Sequence, residues 1–265
     1  MAGHADTTVD AFLGGRVEAV QPAAGHHRSG LEAVLLGAAI AADATGRVID
    51  LGAGAGVAGL CAAVRAPGTE VTLVEREPEL LAAASAALRR PANRALASRI
   101  ALARLDITTD GEAARGAEGV LREQAAIVLT NPPFRPEGAV RASPHPARAA
   151  AHVAEGGLDP WFRFAAWALR PGGALVAILP AASLYEALEG LAGRFGDGAV
   201  LPIHPRRDEP ALRILVAARK GSRAPLSLLP GLFLHDGPRY TPAAEAILRG
   251  EVGISDVHGA WRPVV

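Results

Sequence analysis

The strongest constraint on the fold is a repeated alternation of strand and helix patterns through the middle of the chain. Five apolar runs have the length and composition of buried strands: 48–51, 71–75, 100–105, 125–129 and 174–179. Strands that alternate with helical patterns indicate βαβ units and a parallel sheet. We therefore predict a doubly wound α/β fold, with its ligand crevice at the carboxyl ends of the strands.

Two later strand patterns, 200–203 and 212–218, have no helix between them. We expect them to pair as a C-terminal antiparallel hairpin, which gives a mostly parallel sheet of seven strands. Residues 9–21 predict another hairpin, turned on a pair of glycines, ahead of a helix at 30–42.

These patterns divide the chain into three parts. Residues 1–43 hold the N-terminal hairpin and helix, which we expect to cover the substrate and cofactor. Residues 44–225 form the main domain. Residues 226–265 are a C-terminal extension with a short helix at 242–249, capped by Thr241.

Composition excludes several classes of protein. The 265 residues are 50% hydrophobic, which suffices for a buried core and excludes a fully disordered chain. Positive and negative charges balance at 27 each, so any nucleic-acid footprint must be local. Cys61 is the single cysteine, which excludes a disulfide scaffold and a cysteine-rich metal site.

His26, His27 and His152 match no compact ligand set, so we predict no metal site. The chain opens without a signal-peptide pattern, and no apolar run approaches the roughly 20 residues of a membrane span. We therefore expect a cytoplasmic protein.

A glycine-rich segment, Asp50 to Gly56, follows the first strand of the alternation and opens the next helix. Glycines there allow a tight turn and let a ligand approach the backbone. The run Gly54-x-Gly56-x-x-Gly59 fits a dinucleotide fingerprint, which seats a pyrophosphate on the helix N-terminus. Read from Asp50, the segment instead fits the D-x-G-x-G-x-G loop that binds S-adenosylmethionine.

Register favours the second template. Four residues, Asp50 to Ala53, precede Gly54, whereas a dinucleotide fingerprint starts almost directly after its strand. Glu75 ends the next strand and serves either ligand, because a carboxylate there accepts both ribose hydroxyls. The remaining alternative is a glycine-rich turn that holds no ligand.

The tetrapeptide Asn131-Pro132-Pro133-Phe134 follows the fourth strand and discriminates best between functions. Its prolines stiffen the loop and remove two backbone donors. The Asn131 side-chain oxygen and the Pro132 carbonyl then suit the two N–H groups of an exocyclic amine, and Phe134 suits the ring face. This grip turns the nitrogen lone pair toward an incoming methyl group, so catalysis is mostly orientation. A rigid turn capped by Asn131 is the structural alternative.

The order of these motifs resembles a known group of enzymes. Residues 50–56, Glu75, Asp106, 131–134 and 171–173 stand as in class I S-adenosylmethionine-dependent methyltransferases that act on amino nitrogens. Segments 12–17, 21–22 and 27–36 resemble the entry segment of the tRNA1(Val) adenine-37 N6-methyltransferase family, except that Glu32 stands where Asp is expected. The resemblance covers about 10–249.

The resemblance implies a class I, Rossmann-like fold, S-adenosylmethionine as cofactor and N-methyl transfer. It implies these cofactor-binding residues: Arg28, Ser29, Gly30, Asp50, Gly52, Gly54, Gly56, Glu75 and Asp106. Glu75 would bind the ribose, Asp106 the adenine amine, and 28–30 would cover the methionine end. The implied catalytic residues are Asn131, Pro132, Pro133 and Phe134. A turn or capping role is the alternative for Asp106.

A group of cations suggests where RNA would bind. Six of them fall within twenty residues: Arg206, Arg207, Arg213, Arg219, Lys220 and Arg223. Phosphate contacts from this group would supply affinity. The Pro- and Arg-rich segment 135–155 is expected to form a mobile loop that closes over a flipped or unpaired base. A solvated surface set by the arginine-rich composition is the alternative.

Aromatic residues make up only 4% of the chain, which argues against a large stacking platform. Trp161, Phe162, Phe164 and Trp167 fit the core face of a helix better.

The leading prediction is an S-adenosylmethionine-dependent N-methyltransferase for adenine in tRNA. Related enzymes with the same tetrapeptide methylate guanine N2 in ribosomal RNA or glutamine in proteins. A methyltransferase for ribosomal RNA or a small molecule is therefore one alternative. An NAD-dependent dehydrogenase that uses the Gly54–Gly59 register and a non-catalytic RNA-binding module are the others.

Overall fold

Nine strands form one mixed sheet within the residues that the structure, a computed structural model, describes: 7–26, 28–133 and 157–262. His27, Phe134 and the segment 135–155 lie outside the described residues, and the predictions made for them are not tested.

An antiparallel hairpin, β1 (Thr7–Phe12) and β2 (Val17–Pro22), precedes the large sheet. The strands of the large sheet are β3 (Thr45–Leu51), β4 (Gly68–Glu75), β5 (Ile100–Arg104), β6 (Ala125–Thr130), β7 (Leu169–Pro180), β8 (Phe195–His204), β9 (Arg213–Lys220), β10 (Ser227–Leu228) and β11 (Leu232–Phe233). A second small hairpin, β12 (His235–Asp236) and β13 (Arg239–Tyr240), follows.

The helices cover both faces of the sheet. They are α1 (Leu31–Ala38), α2 (Val57–Arg65), α3 (Pro78–Leu88), α4 (Glu112–Ala117), α5 (Asp159–Ala168), α6 (Leu184–Leu191), α7 (Pro242–Leu248) and α8 (Ile254–Val257).

The strand order is β10-β8-β9-β7-β6-β3-β4-β5, and β11 also pairs with β8. β4, β3, β6 and β7 are parallel neighbours, with β5 parallel to β4 at the edge. β9 runs antiparallel to β7 and to β8. The predicted doubly wound sheet of seven strands with a C-terminal antiparallel hairpin is confirmed, and the two-residue strands β10 and β11 extend it.

The core lies in two layers, one on each face of the sheet. Leu36 of α1 and Leu60 of α2 belong to one layer, and Phe162 of α5 and Leu191 of α6 belong to the other. Because both faces are covered, all six residues of β6 are buried, which explains its continuous apolar run.

Both ends of the described chain pack on the α1–α3 side. Val17 of the first hairpin and Trp261 near the C-terminus belong to the same buried layer as Leu60. The Trp261 Nε1–H donates to the Ala39 carbonyl oxygen at 3.0 Å. The functional division at 43 and 225 stays a prediction.

The predicted elements agree best where local signals are strong. Helix α2 begins directly after the glycine-rich segment, as predicted, and Thr241 accepts the backbone N–H of Ala244 as the predicted cap of α7. Helix α1 ends at Ala38, earlier than its apolar pattern, since the chain turns there toward β3. Strand β7 begins at Leu169, ahead of the predicted start, because it pairs with β6 across a register shift. The sequence missed α4, which buries no residue.

No helix in the described part of the chain has the length and apolarity to cross a membrane.

Candidate active site

The glycine loop and the Asn131 loop leave adjacent strands at the same level. Leu51, the last residue of β3, pairs with Thr130, the last residue of β6. The Thr130 hydroxyl donates to the Leu51 carbonyl oxygen at 2.9 Å, and both residues are fully buried. Because paired strands lie about 4.8 Å apart, Gly52 and Asn131 start side by side. The two motifs therefore leave neighbouring strands at the same edge of the sheet, as the topology predicted.

Backbone donors fix the glycine loop to the next strand. The N–H groups of Gly52 and Ala53 both donate to the Val74 carbonyl oxygen, at 2.9 and 3.0 Å. Gly52 and Gly54 have φ values of +73° and +58°, a region that strains other residues. A Cβ on Gly54 would meet no atom within 4 Å, so the loop leaves open space there for a ligand.

The Trp161 ring lies against the same loop. A Cβ added to Gly52 would stand 2.6 Å from a carbon of that ring. Trp161 is only partly buried, whereas Phe162 and Phe164 are buried as expected for the core face of α5. The sequence placed Trp161 with those core residues and missed that it is a wall of the crevice.

Glu75 holds the glycine loop in place. Its Oε2 accepts the backbone N–H of Gly54 at 2.9 Å. Its Oε1 accepts the N–H groups of Arg76 and Glu77, at 2.8 and 3.0 Å. The carboxylate is therefore fixed at the end of β4, beside the open side of the loop, where the sequence predicted a ribose acceptor.

Asp50 lies beneath the loop. It is only 2% exposed, and its Oδ2 accepts the Gly59 N–H at 2.7 Å. Burial raises the pKa of Asp50 to about 7, and the Glu75 charge adds to the rise while the Gly59 N–H opposes it. The Asp50–Gly59 hydrogen bond joins β3 to α2, the two elements between which the glycine loop runs.

The two carboxylate oxygens of Asp106 have different partners. Oδ1 accepts the Thr108 hydroxyl and N–H, at 2.5 and 2.9 Å, which is the geometry expected of an aspartate that stabilises a turn. Oδ2 lies 3.7 Å from Arg76 Nη1, beside an open cleft that Glu77 and Pro78 also line. Burial alone would raise the pKa of Asp106, but the Thr108 hydrogen bonds and the Arg76 charge outweigh it and hold that pKa below its usual value.

The segment Arg28 to Gly30 is tied to the N-terminal hairpin. Gln21, only 2% exposed, accepts the Ser29 N–H at 2.8 Å and donates to Asp10 Oδ2 at 2.8 Å. The same Asp10 oxygen pairs with Arg28 Nη2 at 2.5 Å. The sequence did not assign Asp10 or Gln21 to the site, although a glutamine buried in an apolar strand is a usable signal.

The predicted amine-binding residues are described in part. Asn131 is half-buried, Pro132 is buried and Pro133 is exposed, so the loop passes from the sheet to the surface within three residues. Phe134 lies outside the described residues. At the start of α5, Glu186 Oε1 accepts the Leu158 N–H at 2.5 Å.

The six predicted RNA-binding cations do not form one surface. Arg206 and Arg207 follow the carboxyl end of β8. Arg213 lies opposite Pro180 in the β7–β9 strand register, at the carboxyl end of β7. Arg219 and Lys220 end β9 at the opposite edge of the sheet. β9 has 8 residues, so roughly 23 Å separate its two ends.

The cations at the amino edge have other roles. Lys220 Nζ donates to the Leu169 carbonyl at 2.7 Å and pairs with Glu123 at 2.9 Å, and Arg219 pairs with Asp197 at 3.4 Å. The prediction of a single basic patch, with Arg219, Lys220 and Arg223 as members, is therefore wrong, because an antiparallel strand carries half of the sequence cluster away from the crevice.

Glu32 pairs with one cation of the carboxyl edge. Its Oε1 lies 3.1 Å from Arg213 Nη2. Glu32 lies in the first turn of α1 and Arg213 begins β9, so this ion pair joins the start of α1 to the start of β9.

Comparison with known proteins gives one family. The model described as the methyltransferase small domain matches residues 30–203. A solved structure described as a predicted O-methyltransferase from Agrobacterium tumefaciens is 34% identical, with a TM-score of 0.71, and the match covers 83% of this chain and 97% of that one. No curated protein sequence matches.

Two more distant structures share the fold. A 16S rRNA N2-guanosine methyltransferase from T. thermophilus, solved with AdoMet and guanosine, is 22% identical with a TM-score of 0.52, covering 81% of this chain and 50% of that one. M. jannaschii TYW2, solved with AdoMet, is 16% identical with a TM-score of 0.51, and the match covers 83% of this chain and 88% of that one.

Proposed function

This chain belongs to the methyltransferase small domain family and is an S-adenosylmethionine-dependent methyltransferase, and from that premise we propose that it methylates an exocyclic amine, namely adenine N6 in tRNA. The observation that carries the proposal is the pairing of Leu51 with Thr130, which starts the glycine loop and the Asn131 loop side by side. A methyl donor on the first loop and an amine on the second would then be adjacent.

The crevice fits S-adenosylmethionine. Gly54 leaves the space that a Cβ would take, and Glu75 stands beside it with lone pairs suited to ribose hydroxyls. Asp106 Oδ2 would accept the adenine amine, while Arg28 and the Ser29 backbone would cover the methionine end. When bound, S-adenosylmethionine supplies an electrophilic methyl group on a sulfonium.

The Asn131 loop supports an amine rather than another acceptor. Two consecutive prolines leave it without two backbone donors, so its polar atoms are chiefly oxygen acceptors. In our proposal the Asn131 side-chain oxygen and the Pro132 carbonyl each accept one N–H of the substrate. The amine lone pair is then held out of conjugation, and orientation supplies most of the rate.

Transfer to a hydroxyl is the second candidate, because the Agrobacterium structure is described as a predicted O-methyltransferase. A hydroxyl offers one proton, so it would use only one of two adjacent acceptors. It also needs a base to remove that proton in the transition state. The Asn-Pro-Pro sequence provides no such base, and it favours the amine.

An RNA substrate is supported by the charge of the carboxyl edge. Arg206, Arg207 and Arg213 lie at the same edge of the sheet as Asn131. Arg206 pairs with Glu209 and Arg213 pairs with Glu32, whereas Arg207 has no ion pair among the described residues. Cations there suit the phosphates of a strand whose target base enters the crevice. The T. thermophilus and M. jannaschii proteins share the fold with this chain, and the RNA proposal takes nothing else from them.

The test is methyl transfer from labelled S-adenosylmethionine to total tRNA, ribosomal RNA, protein and free adenosine, followed by nucleoside mass spectrometry. The proposal expects N6-methyladenosine in the tRNA fraction. Label in guanine, in protein or on an oxygen would contradict the substrate assignment. As a control for the dehydrogenase alternative, we expect calorimetry to detect no binding of NAD.

A further inference from the structure

The carboxyl edge continues beyond the crevice into a group of rings and cations. Phe233 of β11 contacts two side chains: its ring centroid lies 5.1 Å from the His204 ring centroid and 4.7 Å from the Arg207 guanidinium carbon. In the adjoining hairpin, the rings of His235 and Tyr240 stack with centroids 4.6 Å apart and planes at 25°.

The two ring pairs are fixed to one another. The backbone N–H of Leu234 donates to the His204 carbonyl at 3.0 Å, and that of His235 donates to the Pro205 carbonyl at 2.9 Å. The β12–β13 hairpin is therefore held against the end of β8. We call His204, Arg207, Phe233, His235 and Tyr240 the edge platform.

The edge platform exposes one aromatic ring and the cation of Arg207 to solvent, next to the exposed Arg239. Tyr240 is 43% exposed, and Arg207 and Arg239 are exposed. Across the described ranges, neither arginine forms an ion pair, whereas Arg206 pairs with Glu209 at 2.7 Å. Asp208 and Asp236 are the exposed acids of the same two turns.

We propose that the edge platform binds a nucleotide a few positions away from the methylated one in single-stranded RNA, with its base on Tyr240 and its phosphate on Arg207. This inference rests on the proposed function. Exposed aromatic rings beside cations are the usual means of binding single strands without reading sequence.

The distance between the platform and Asn131 suits a polymer. From Asn131, the strands β7, β9, β8 and β11 follow in order, which places Phe233 four strand spacings away, roughly 19 Å. A small molecule held at Asn131 does not reach that far, but a strand of a few nucleotides does. A tRNA loop with an unpaired target base has this form.

The test compares four variants with the wild type in binding fluorescent, unmodified tRNA and in steady-state methylation. Tyr240→Ala and Arg207→Ala are expected to weaken binding about 5- to 100-fold, the range for the loss of one base stack or its cation. KM for RNA rises accordingly while kcat is kept. Tyr240→Phe retains the ring and is expected to bind as the wild type does.

Arg223→Ala is the matched control, because Arg223 is exposed on the opposite edge of the sheet. Arg223→Ala is expected to leave tRNA affinity, KM and kcat at their wild-type values. Arg207→Ala is also expected to reduce the slope of log binding constant against log salt concentration by about 1, the value for one lost phosphate contact. A purely structural role would leave that slope unchanged. Thermal unfolding of each variant checks its fold, and Arg207→Ala carries the test if Tyr240→Ala does not fold.

Two failures are distinguishable. If the wild type methylates tRNA while Tyr240→Ala and Arg207→Ala bind it normally, the edge-platform inference is wrong and the proposed function stands. If the wild type neither binds nor methylates RNA, the RNA substrate is wrong and the inference falls with it.

Discussion

Thr130 donates its hydroxyl proton to the carbonyl oxygen of Leu51, its partner across β6 and β3. This buried hydrogen bond joins the strand end that carries the glycine loop to the strand end that carries Asn131. The relative position of the two loops is therefore set within the protein core before any ligand binds.

Replacing Thr130 with valine tests this connection. Thr130→Val keeps the shape of the side chain but removes the donor, so the free energy of unfolding should fall by about 1–2 kcal/mol. We expect kcat to fall several-fold, with S-adenosylmethionine affinity changed less, because the two loops shift relative to each other. Denaturant unfolding and steady-state kinetics measure both effects.

Thr69→Val is its matched control. Thr69 is also fully buried and donates to a backbone carbonyl, that of Ala66, at 2.8 Å, but it lies at the amino end of β4. A similar loss of stability with unchanged kcat is expected there. Equal kcat in both variants would show that the Thr130 bond has no catalytic effect.

Two glycines of the loop separate stability from binding. At φ +73° and +58°, alanine at Gly52 or Gly54 costs about 1–2 kcal/mol of backbone strain. Gly52→Ala also collides with Trp161, so it should be the less stable variant. Gly54→Ala should fold better but lose at least about 10-fold in S-adenosylmethionine affinity, as seen by calorimetry. Normal affinity in Gly54→Ala would place the cofactor elsewhere.

Glu75→Gln removes the charge at the end of β4 and one of its acceptor oxygens. Because three backbone N–H groups bond to this carboxylate, we expect about 10-fold weaker S-adenosylmethionine binding through loss of loop order and of the ribose contact. Glu70→Gln, at the exposed start of the same strand, should bind normally. Equal affinities of the two variants would contradict the ribose assignment.

The buried Asp50 predicts a pH dependence of stability. Burial raises its pKa to about 7 from a usual 3.8, so between these values the folded chain holds a proton that the unfolded chain has lost. The contribution of Asp50 to stability therefore falls as pH rises from about 4 to about 7. Urea unfolding across this window should show that fall in the wild type and its absence in Asp50→Asn. Parallel curves would rule out a raised pKa.

Local signals explain what the sequence predicted well. Helix α2 starts where the glycine loop ends and stops before Pro67, so both bounds are readable. The crevice follows from topology, since the carboxyl ends of parallel strands meet at one edge.

Tertiary contacts explain what it could not predict. Arg213 and Lys220 are close in the chain, yet β9 places them at opposite edges of the sheet. The contact of Trp161 with Gly52 joins segments more than a hundred residues apart, and nothing in either segment signals it. The edge platform was missed because its rings come from four separate strands in a chain with few aromatic residues.

The central claim is that Asn131 holds the acceptor amine and does not hold the methyl donor. Its most direct test is the single-turnover rate of methyl transfer to tRNA by Asn131→Ala, measured beside calorimetric S-adenosylmethionine affinity. We predict a rate at least about 100-fold below the wild type, with cofactor affinity within a few-fold. Transfer at the wild-type rate would contradict the account.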